Sequence, residues 1–163
     1  MAFTNNPRIG ATHNGQSPEI RYGWYEVNSS DFKAGQLVYL AGNATTGGVT
    51  HCETDATVIM GIAMKDATNV SSGNIEIPVM IIYPDDELIM RCRSGATDTL
   101  ASAFYPGKKY GVILASNIIY VDQAEVTTTV VEFVEPIYDA TGTSTYWGKF
   151  KLLPAAAQIG IGV

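Results

Sequence analysis

The stretch from residue 32 to residue 64 constrains the fold of this chain more than any other. It reads as a Gly-containing turn, an apolar strand at residues 37–40, a Gly-rich tip at residues 45–48, a return strand and a near-continuous apolar run at residues 57–64. The β-branched residues of that last run, its length and its interior Gly61 favour a strand over a helix. The stretch therefore predicts short strands joined by tight turns.

The rest of the chain continues this pattern of apolar runs and turns. Residues 75–82 place Ile or Val at every second position, which is typical of a strand with one buried face, and Pro78 favours an edge position or a bulge. Residues 97–104 are the one helix candidate, of a turn or two at most. Further strands are predicted at residues 129–138 and 144–151.

These elements predict an all-β protein. We expect a compact β-barrel or β-tulip-like domain at residues 24–151, preceded by an extended N-terminal arm at residues 1–23. The arm has no strand or helix period, and it is either disordered in isolation or ordered on a partner. An apolar, Gly-alternating C-terminal tail follows at residues 152–163, which either packs back on its own sheet or lies on a neighbouring subunit.

The pattern of the opening stretch returns later in the chain at a fixed offset. Gly35 corresponds to Gly107 (107 − 35 = 72), and the same shift carries Phe32 to Phe104. Each unit reads as an aromatic residue, a Gly turn, a strand, a tip, a strand, a Thr-rich link and a long apolar strand. Two interpretations stay open, namely duplication of one unit or the general similarity of all strand–turn–strand segments.

Composition and charge exclude several classes of partner. A net charge of −6 argues against nucleic-acid binding, since phosphate contacts need a basic face. Charged residues make up 16% of the chain, well below the usual ~25%, which favours a surface that is partly covered by a partner. No apolar run reaches the ~18 residues of a membrane helix. Residues 1–20 lack the apolar core of a secretory signal, so we expect a soluble protein made in a cytoplasm.

We predict no catalytic residue, no metal site and no cofactor. The carboxylates at residues 85–87 are adjacent in sequence and are interpreted as a solvated turn. His51 and Cys52 are neighbours on a strand and point to opposite faces, so they do not grip one metal ion. Residues 42–48 resemble a phosphate loop only superficially, because a strand follows instead of a helix. Cys52 and Cys92 are able to pair, but we expect two buried, free thiols.

Aromatic and apolar side chains flank both the arm and the tail. In the last strand, Trp147 and Lys149 share one face while Gly148 and Phe150 share the other. Core filling is one interpretation of these aromatics, and interface hot spots are the other. The candidate interface residues are Phe3, Ile9, Ile20, Tyr22, Trp24, Tyr25, Trp147, Ile159, Ile161 and Val163.

Three segments together resemble the small head-decoration (capsid cement) proteins of tailed bacteriophages. They are Ala34-Gly35-x-x-Val38-Tyr39-Leu40, the tip Gly47-Gly48-Val49 and Val58-Ile59-x-Gly61-Ile62-Ala63. The resemblance implies a barrel or tulip body and a homotrimer that binds the major capsid protein at three-fold or quasi-three-fold positions. It implies a structural protein of the outer capsid surface of the virion, without catalytic residues, and the ten interface residues are then candidate capsid or subunit contacts.

Two other functions stay open at this level. Residues 91–95, Arg-Cys-Arg-Ser-Gly, and the Gly-rich C-terminus weakly resemble a trimeric all-β nucleotide hydrolase of the dUTPase type, although no catalytic Asp in a Gly-flanked loop is evident. A phage tail or fibre module would share the composition.

Overall fold

The computed structural model describes residues 6–12, 15–22, 25–26, 31–41, 48–67 and 75–158. These residues form strands and two short 3₁₀ helices, at Ala101–Ala103 and Pro154–Ala156, which confirms the predicted compact all-β class. In chain order the strands are β1 (Arg8–Ala11), β2 (Ile20–Arg21), β3 (Tyr25–Glu26), β4 (Leu37–Leu40), β5 (Gly48–His51), β6 (Gly61–Ala63), β7 (Val79–Ile81), β8 (Glu87–Ser94), β9 (Thr97–Asp98), β10 (Lys109–Ala115), β11 (Ile118–Asp122), β12 (Val131–Tyr138) and β13 (Ser144–Leu152). Within the described ranges, no helix is long or apolar enough to cross a membrane.

Five strands of the first sheet form a closed ring. β8 pairs with β11, β11 with β10, β10 with β12, β12 with β13, and β13 pairs with β8 again. The first half of β8 lies antiparallel to β13, while its second half lies parallel to β11. Because the ring is closed, none of these five strands ends the sheet as a free edge.

Aromatic side chains fill the inside of this closed set of strands. The ring centroids of Phe104 and Tyr110 are 4.7 Å apart, and those of Phe133 and Phe150 are 5.2 Å apart. Phe104 directly follows the 3₁₀ helix at Ala101–Ala103, which packs against β12 and β13. The buried cluster continues into the second sheet at residues such as Leu37 and Ile62, while other residues of that sheet form a second buried cluster of their own.

The second sheet has the strand order β2-β7-β6-β4-β5-β3. Its outermost strands, β2 and β3, follow one another in the chain: β2 lies antiparallel to β7, and β3 lies parallel to β5. β8 makes the same two kinds of pairing in the first sheet, antiparallel to β13 and parallel to β11. The two sheets therefore share one topology, in which β2 and β3 together take the place of β8.

Residue pairing across the strands repeats at the offset seen in the sequence. Tyr39 on β4 lies opposite Thr50 on β5, and Gly111 on β10 lies opposite Asp122 on β11. The offset that relates the two turn glycines also carries Tyr39 to Gly111 (111 − 39 = 72) and Thr50 to Asp122 (122 − 50 = 72). The two hairpins thus have the same register, which a general similarity between strand–turn–strand segments does not require.

The turns that lead into these hairpins also correspond. Gly35 and Gly107 have positive φ angles of 92° and 79°. Gly35 N–H donates to the carbonyl of Ala63 at 2.7 Å, and Gly107 N–H donates to the carbonyl of Phe133 at 2.8 Å. The two acceptors, Ala63 and Phe133, are 70 residues apart (133 − 63 = 70), whereas the two glycines are 72 apart (107 − 35 = 72). The segment between the turn and the third strand is therefore two residues shorter in the second unit. The pairing pattern supports the duplication interpretation.

Both chain ends pair with the body as far as they are described. β1 lies antiparallel to β8, along the edge of that strand opposite to the one that joins β13, and β2 extends the second sheet. At the other end, Ile59 N–H donates to Ala156 O at 2.8 Å, and Gln158 N–H donates to Ile59 O at 2.9 Å. The tail therefore packs back on its own chain up to Gln158, and residues 159–163 lie outside the described residues.

Three local predictions were wrong in detail. The helix candidate at residues 97–104 is strand β9 followed by the 3₁₀ helix, because the chain reverses at Gly95 and β9 pairs back onto β8. Pro78 does not mark an edge, since β7 pairs on both sides, with β6 and β2. Asp86 is not a solvated turn residue: it is 1% exposed and its carboxylate accepts the N–H of Tyr83 at 2.9 Å.

The two equivalent turn glycines give a stability prediction. Gly107→Ala is expected to cost about 1 kcal/mol, because its φ of 79° disfavours a Cβ while no neighbouring atom lies within 4 Å of that Cβ. Gly35→Ala should cost more, because its Cβ would also lie 2.6 Å from the Asn6 side chain. Denaturant unfolding of both variants measures the difference. If both variants lose the same unfolding free energy, the contact with Asn6 is contradicted. If Gly107→Ala leaves the unfolding free energy unchanged, the turn geometry is contradicted.

Both cysteines are free and fully buried, as expected. Burial raises the pKa of the Cys52 thiol and raises that of Cys92 to about 12, so little thiolate forms at neutral pH. We expect a disulfide reagent such as dithiobis(nitrobenzoate) to label the native protein at least ~100-fold more slowly than the unfolded chain. Lys151→Cys, at an exposed position, is the reactive control, and rapid labelling of native wild-type protein would disprove this burial.

Candidate interaction surface

Strand β8 presents alternate residues to the core and to the outside. Leu88, Met90 and Cys92 are buried, whereas the side chains between them point outward and are partly exposed. Strands β1, β11, β9 and β13 flank β8 and add their own outward side chains to the same surface. We call this surface the β8 outer face, and its residues are Arg8, Glu87, Ile89, Arg91, Arg93, Asp98, Tyr120, Trp147 and Lys149.

Trp147 is the largest side chain of the β8 outer face. It lies directly opposite Arg91, two positions before Lys149 on β13. The guanidinium of Arg8 lies over its indole, 5.6 Å from the ring centroid, which is within the range of a cation–π contact. Trp147 is partly exposed, and the Arg8 side chain that packs against it comes from β1, on the other side of β8.

Two arginines and one carboxylate form a network beside Trp147. Arg91 donates to Asp98 at 2.5 Å, and the Nε of Arg93 lies 3.6 Å from the same carboxylate. Both guanidiniums also lie against the ring of Tyr120, at 5.7 and 4.8 Å from its centroid. Because the side chains of Arg91 and Arg93 are only 20% and 18% exposed, these contacts hold them in defined positions on the surface.

A second ion-pair group lies further along β13. The ammonium of Lys149 is 2.9 Å from Glu135 and 3.4 Å from Glu87. The hydrogen bond to Glu135, aided by the charge of Glu87, raises the pKa of Lys149. Lys149 thus stays charged across the physiological pH range and ties β8, β12 and β13 together on their outer side.

This arrangement suits recognition of another macromolecule. Trp and Arg are among the residue types that contribute most binding energy at protein interfaces, and pre-ordered side chains lose less entropy on binding. Tyr120 is only 6% exposed, so it supports the arginines rather than facing a partner. Among the described residues, no group of three or more His, Cys, Asp and Glu side chains is placed to hold a metal ion. Residues 91–95, which resembled a nucleotide hydrolase, contribute their two arginines to the network on Asp98 and bury Cys92 in the core.

The predicted interface residues lie in different places. Trp147 is on the β8 outer face, while Ile9 lies opposite Leu88 and is partly buried against the core of its own chain. Ile20, on β2, and Tyr22, directly after that strand, are 40% and 68% exposed. Of the predicted contacts in the described part of the arm, Ile9, Ile20 and Tyr22, none belongs to the β8 outer face with Trp147. Their role as contacts stays a prediction.

The remaining predicted residues have little or no described structure. For Tyr25 the backbone alone is described, and it pairs with Gly48. Phe3, Trp24, Ile159, Ile161 and Val163 lie outside the described residues.

Sequence reasoning missed the partners of Trp147. Arg8, Arg91, Arg93 and Tyr120 belong to three strands that are distant in sequence, and only their pairing makes them neighbours. The alternation of apolar and basic residues in β8 was a usable signal for the two arginines, because it places both on the non-core face of one strand.

Comparison with known proteins does not identify a family for this chain. No family model matches the sequence, and no curated protein matches it.

The network on Asp98 predicts that removing this carboxylate costs more unfolding free energy than removing Glu135, the carboxylate on β12 that pairs with Lys149. Asp98→Ala is expected to cost about 1–2 kcal/mol of unfolding free energy, because it leaves two largely buried guanidiniums without this counter-charge. Glu135→Ala should cost less than about 0.5 kcal/mol, because Glu135 is 56% exposed and Lys149 keeps Glu87. Urea denaturation of the two variants gives both values. A larger loss for Glu135→Ala would contradict the network.

Proposed function

We propose that this chain is a structural virion protein that binds the outer surface of a phage capsid and stabilises it by bridging capsid subunits. Its partners are the major capsid protein and, in a homotrimer, further copies of itself. The observation that carries this proposal is the β8 outer face, where Trp147 and two arginines are held in place on a barrel wall. Sequence resemblance to decoration proteins supplies the class of partner.

The composition of the chain is consistent with this role. Its net charge of −6 disfavours contact with nucleic acid and suits the outer side of a DNA-filled shell. Its low share of charged residues suits a protein with part of its surface covered in an assembly.

Stabilisation would follow from mass action on the assembled shell. A protein that contacts two capsid subunits at once binds the intact lattice and not the separated subunits, so its binding free energy adds to the cost of opening the shell. A stable contact of this kind buries roughly 1,000 Å² or more, with a few central residues contributing most of the affinity. Trp147 is our candidate for one such central residue.

Sedimentation with purified phage heads tests this proposal. The full chain is mixed with a panel of expanded tailed-phage heads that lack their own decoration protein, and saturable co-sedimentation with at least one head is expected. Trp147→Ala should weaken that binding at least about tenfold, because it removes the aromatic anchor of the surface. Tyr105→Ala is the matched control, since Tyr105 is 67% exposed on a turn outside the β8 outer face.

Two outcomes would change this proposal in different ways. Absence of saturable binding to every head in the panel contradicts the capsid role, and magnesium-dependent hydrolysis of dUTP would then favour the enzyme. If Trp147→Ala and Tyr105→Ala weaken the binding to the same extent, the capsid role stands. The contact with the capsid then does not lie on the β8 outer face.

A further inference from the structure

Strand β2 ends the second sheet, and no described strand pairs with its outer edge. β7 lies along the other edge, and β2 comes first in the strand order of that sheet. Ile20 and Tyr22, at this end of the sheet, are 40% and 68% exposed. An edge strand with exposed apolar side chains is a template for pairing with another chain. The outer edge of β2 is therefore open to a further strand.

The main chain of Ile20 points its hydrogen-bonding groups toward this outer edge. Ile20 lies opposite Met80, and the hydrogen bond that flanks this pair runs from Ile81 N–H to Glu19 O, at 2.8 Å. In an antiparallel ladder, hydrogen-bonded and non-hydrogen-bonded pairs alternate, so the pair of Ile20 and Met80 is of the second kind. The N–H and C=O of Ile20 therefore face away from β7.

The corresponding edge of the first sheet carries a strand. Ile20 pairs with Met80 on β7, and Glu87 pairs with Lys151 on β13. Met80 and Lys151 correspond, because their other partners, on β6 and β12, are 70 residues apart (132 − 62 = 70), as are the two turn acceptors. On the opposite edge of β8, Ala11 of β1 lies across from Glu87. The shared topology thus accepts an antiparallel strand at this edge, which β1 fills in the first sheet only.

The side chains on either side of Ile20 carry opposite charges. Arg21 Nε donates to Glu19 Oε1 at 2.7 Å, and both side chains are 44% exposed. If two copies of β2 lie antiparallel with Ile20 opposite Ile20, Glu19 of each copy lies opposite Arg21 of the other. Side chains approach most closely in such non-hydrogen-bonded pairs, and opposite charges stabilise them. A ladder centred on Glu19 or on Arg21 would instead place like charges opposite each other, so the charges favour the register centred on Ile20.

We propose that the outer edge of β2 pairs with β2 of a second copy of this chain, antiparallel and about a two-fold axis at Ile20. Two hydrogen bonds join the Ile20 main chains, each from the N–H of one copy to the C=O of the other. Such an isologous contact joins copies in pairs, so it would link two of the proposed homotrimers rather than build one. It does not rest on the proposed capsid function, because β2 lies outside the β8 outer face.

Sedimentation of the full chain at rising concentration tests this contact. Two short edge strands bury less than the roughly 1,000 Å² of a stable interface, so we expect a weak Kd, on the order of 100 µM. Wild-type protein should double its sedimenting mass between about 1 µM and about 1 mM. No doubling over this range would overturn the contact.

Ile20→Pro tests the main-chain hydrogen bonds. Proline removes the N–H that faces the outer edge, and it leaves the ladder with β7 intact, because that ladder does not use this N–H. The variant should therefore keep the circular dichroism spectrum of the wild type and stay at the lower mass at about 1 mM. A proline variant that doubles its mass as the wild type does would overturn the pairing.

Two charge variants test the register. Glu19→Arg places arginines opposite each other, and Arg21→Glu places carboxylates opposite each other, so each variant alone should raise the Kd at least about tenfold. An equimolar mixture of the two should associate as the wild type does, because each arginine then faces a carboxylate of the other variant. An effect of either substitution on the fold of its own chain would not be reversed by mixing. A mixture that associates no better than its components would overturn the proposed pair.

Tyr83→Phe is the matched control for these variants. The Tyr83 hydroxyl donates to the Glu19 carboxylate, so Glu19→Arg also removes this hydrogen bond. Tyr83→Phe removes the same hydrogen bond without changing a charge, and it should leave the Kd of self-association unchanged. A Kd that rises as much in Tyr83→Phe as in Glu19→Arg would contradict the role of the charges.

Discussion

Strand β8 hydrogen-bonds on both of its edges, and the rest of the structure depends on that double pairing. β13 lies along the first half of one edge and β11 along the second half of the other, so this one strand closes the ring. β1 and β9 cover the two edge segments that remain. Because neighbouring strands cover most of both edges of β8, a partner would contact this strand mainly through its outward side chains.

The β8 outer face follows from this closure. Arg91 stands between Trp147 on one neighbour and Tyr120 on the other, because both neighbours pair with the same residue of β8. The carboxylate of Asp98 reaches both arginines because β9 folds back along the same strand. A capsid contact through this face would therefore use side chains that the fold has already oriented, which lowers the entropy cost of binding.

The two halves of the chain share one topology but differ in the strands that complete it. In the second unit a single long strand, β8, makes both closing pairs, whereas in the first unit two short strands, β2 and β3, make them. β2 and β3 have two residues each, whereas β8 has eight, so one architecture is built with closing strands of different length in the two units.

The sequence by itself determined the all-β class, the alternation of faces in β13, the free buried cysteines and the offset at which the opening unit repeats. These features depend on local period and on turn residues such as Gly35 and Gly107. Only the tertiary structure decided which strands are neighbours. Ring closure by β8, the meeting of Arg8 with Trp147, and the burial of Asp86 all depend on contacts between residues far apart in the chain. Local periodicity specifies which face of a strand is buried, but not which strand lies beside it, since many pairings satisfy the same alternation.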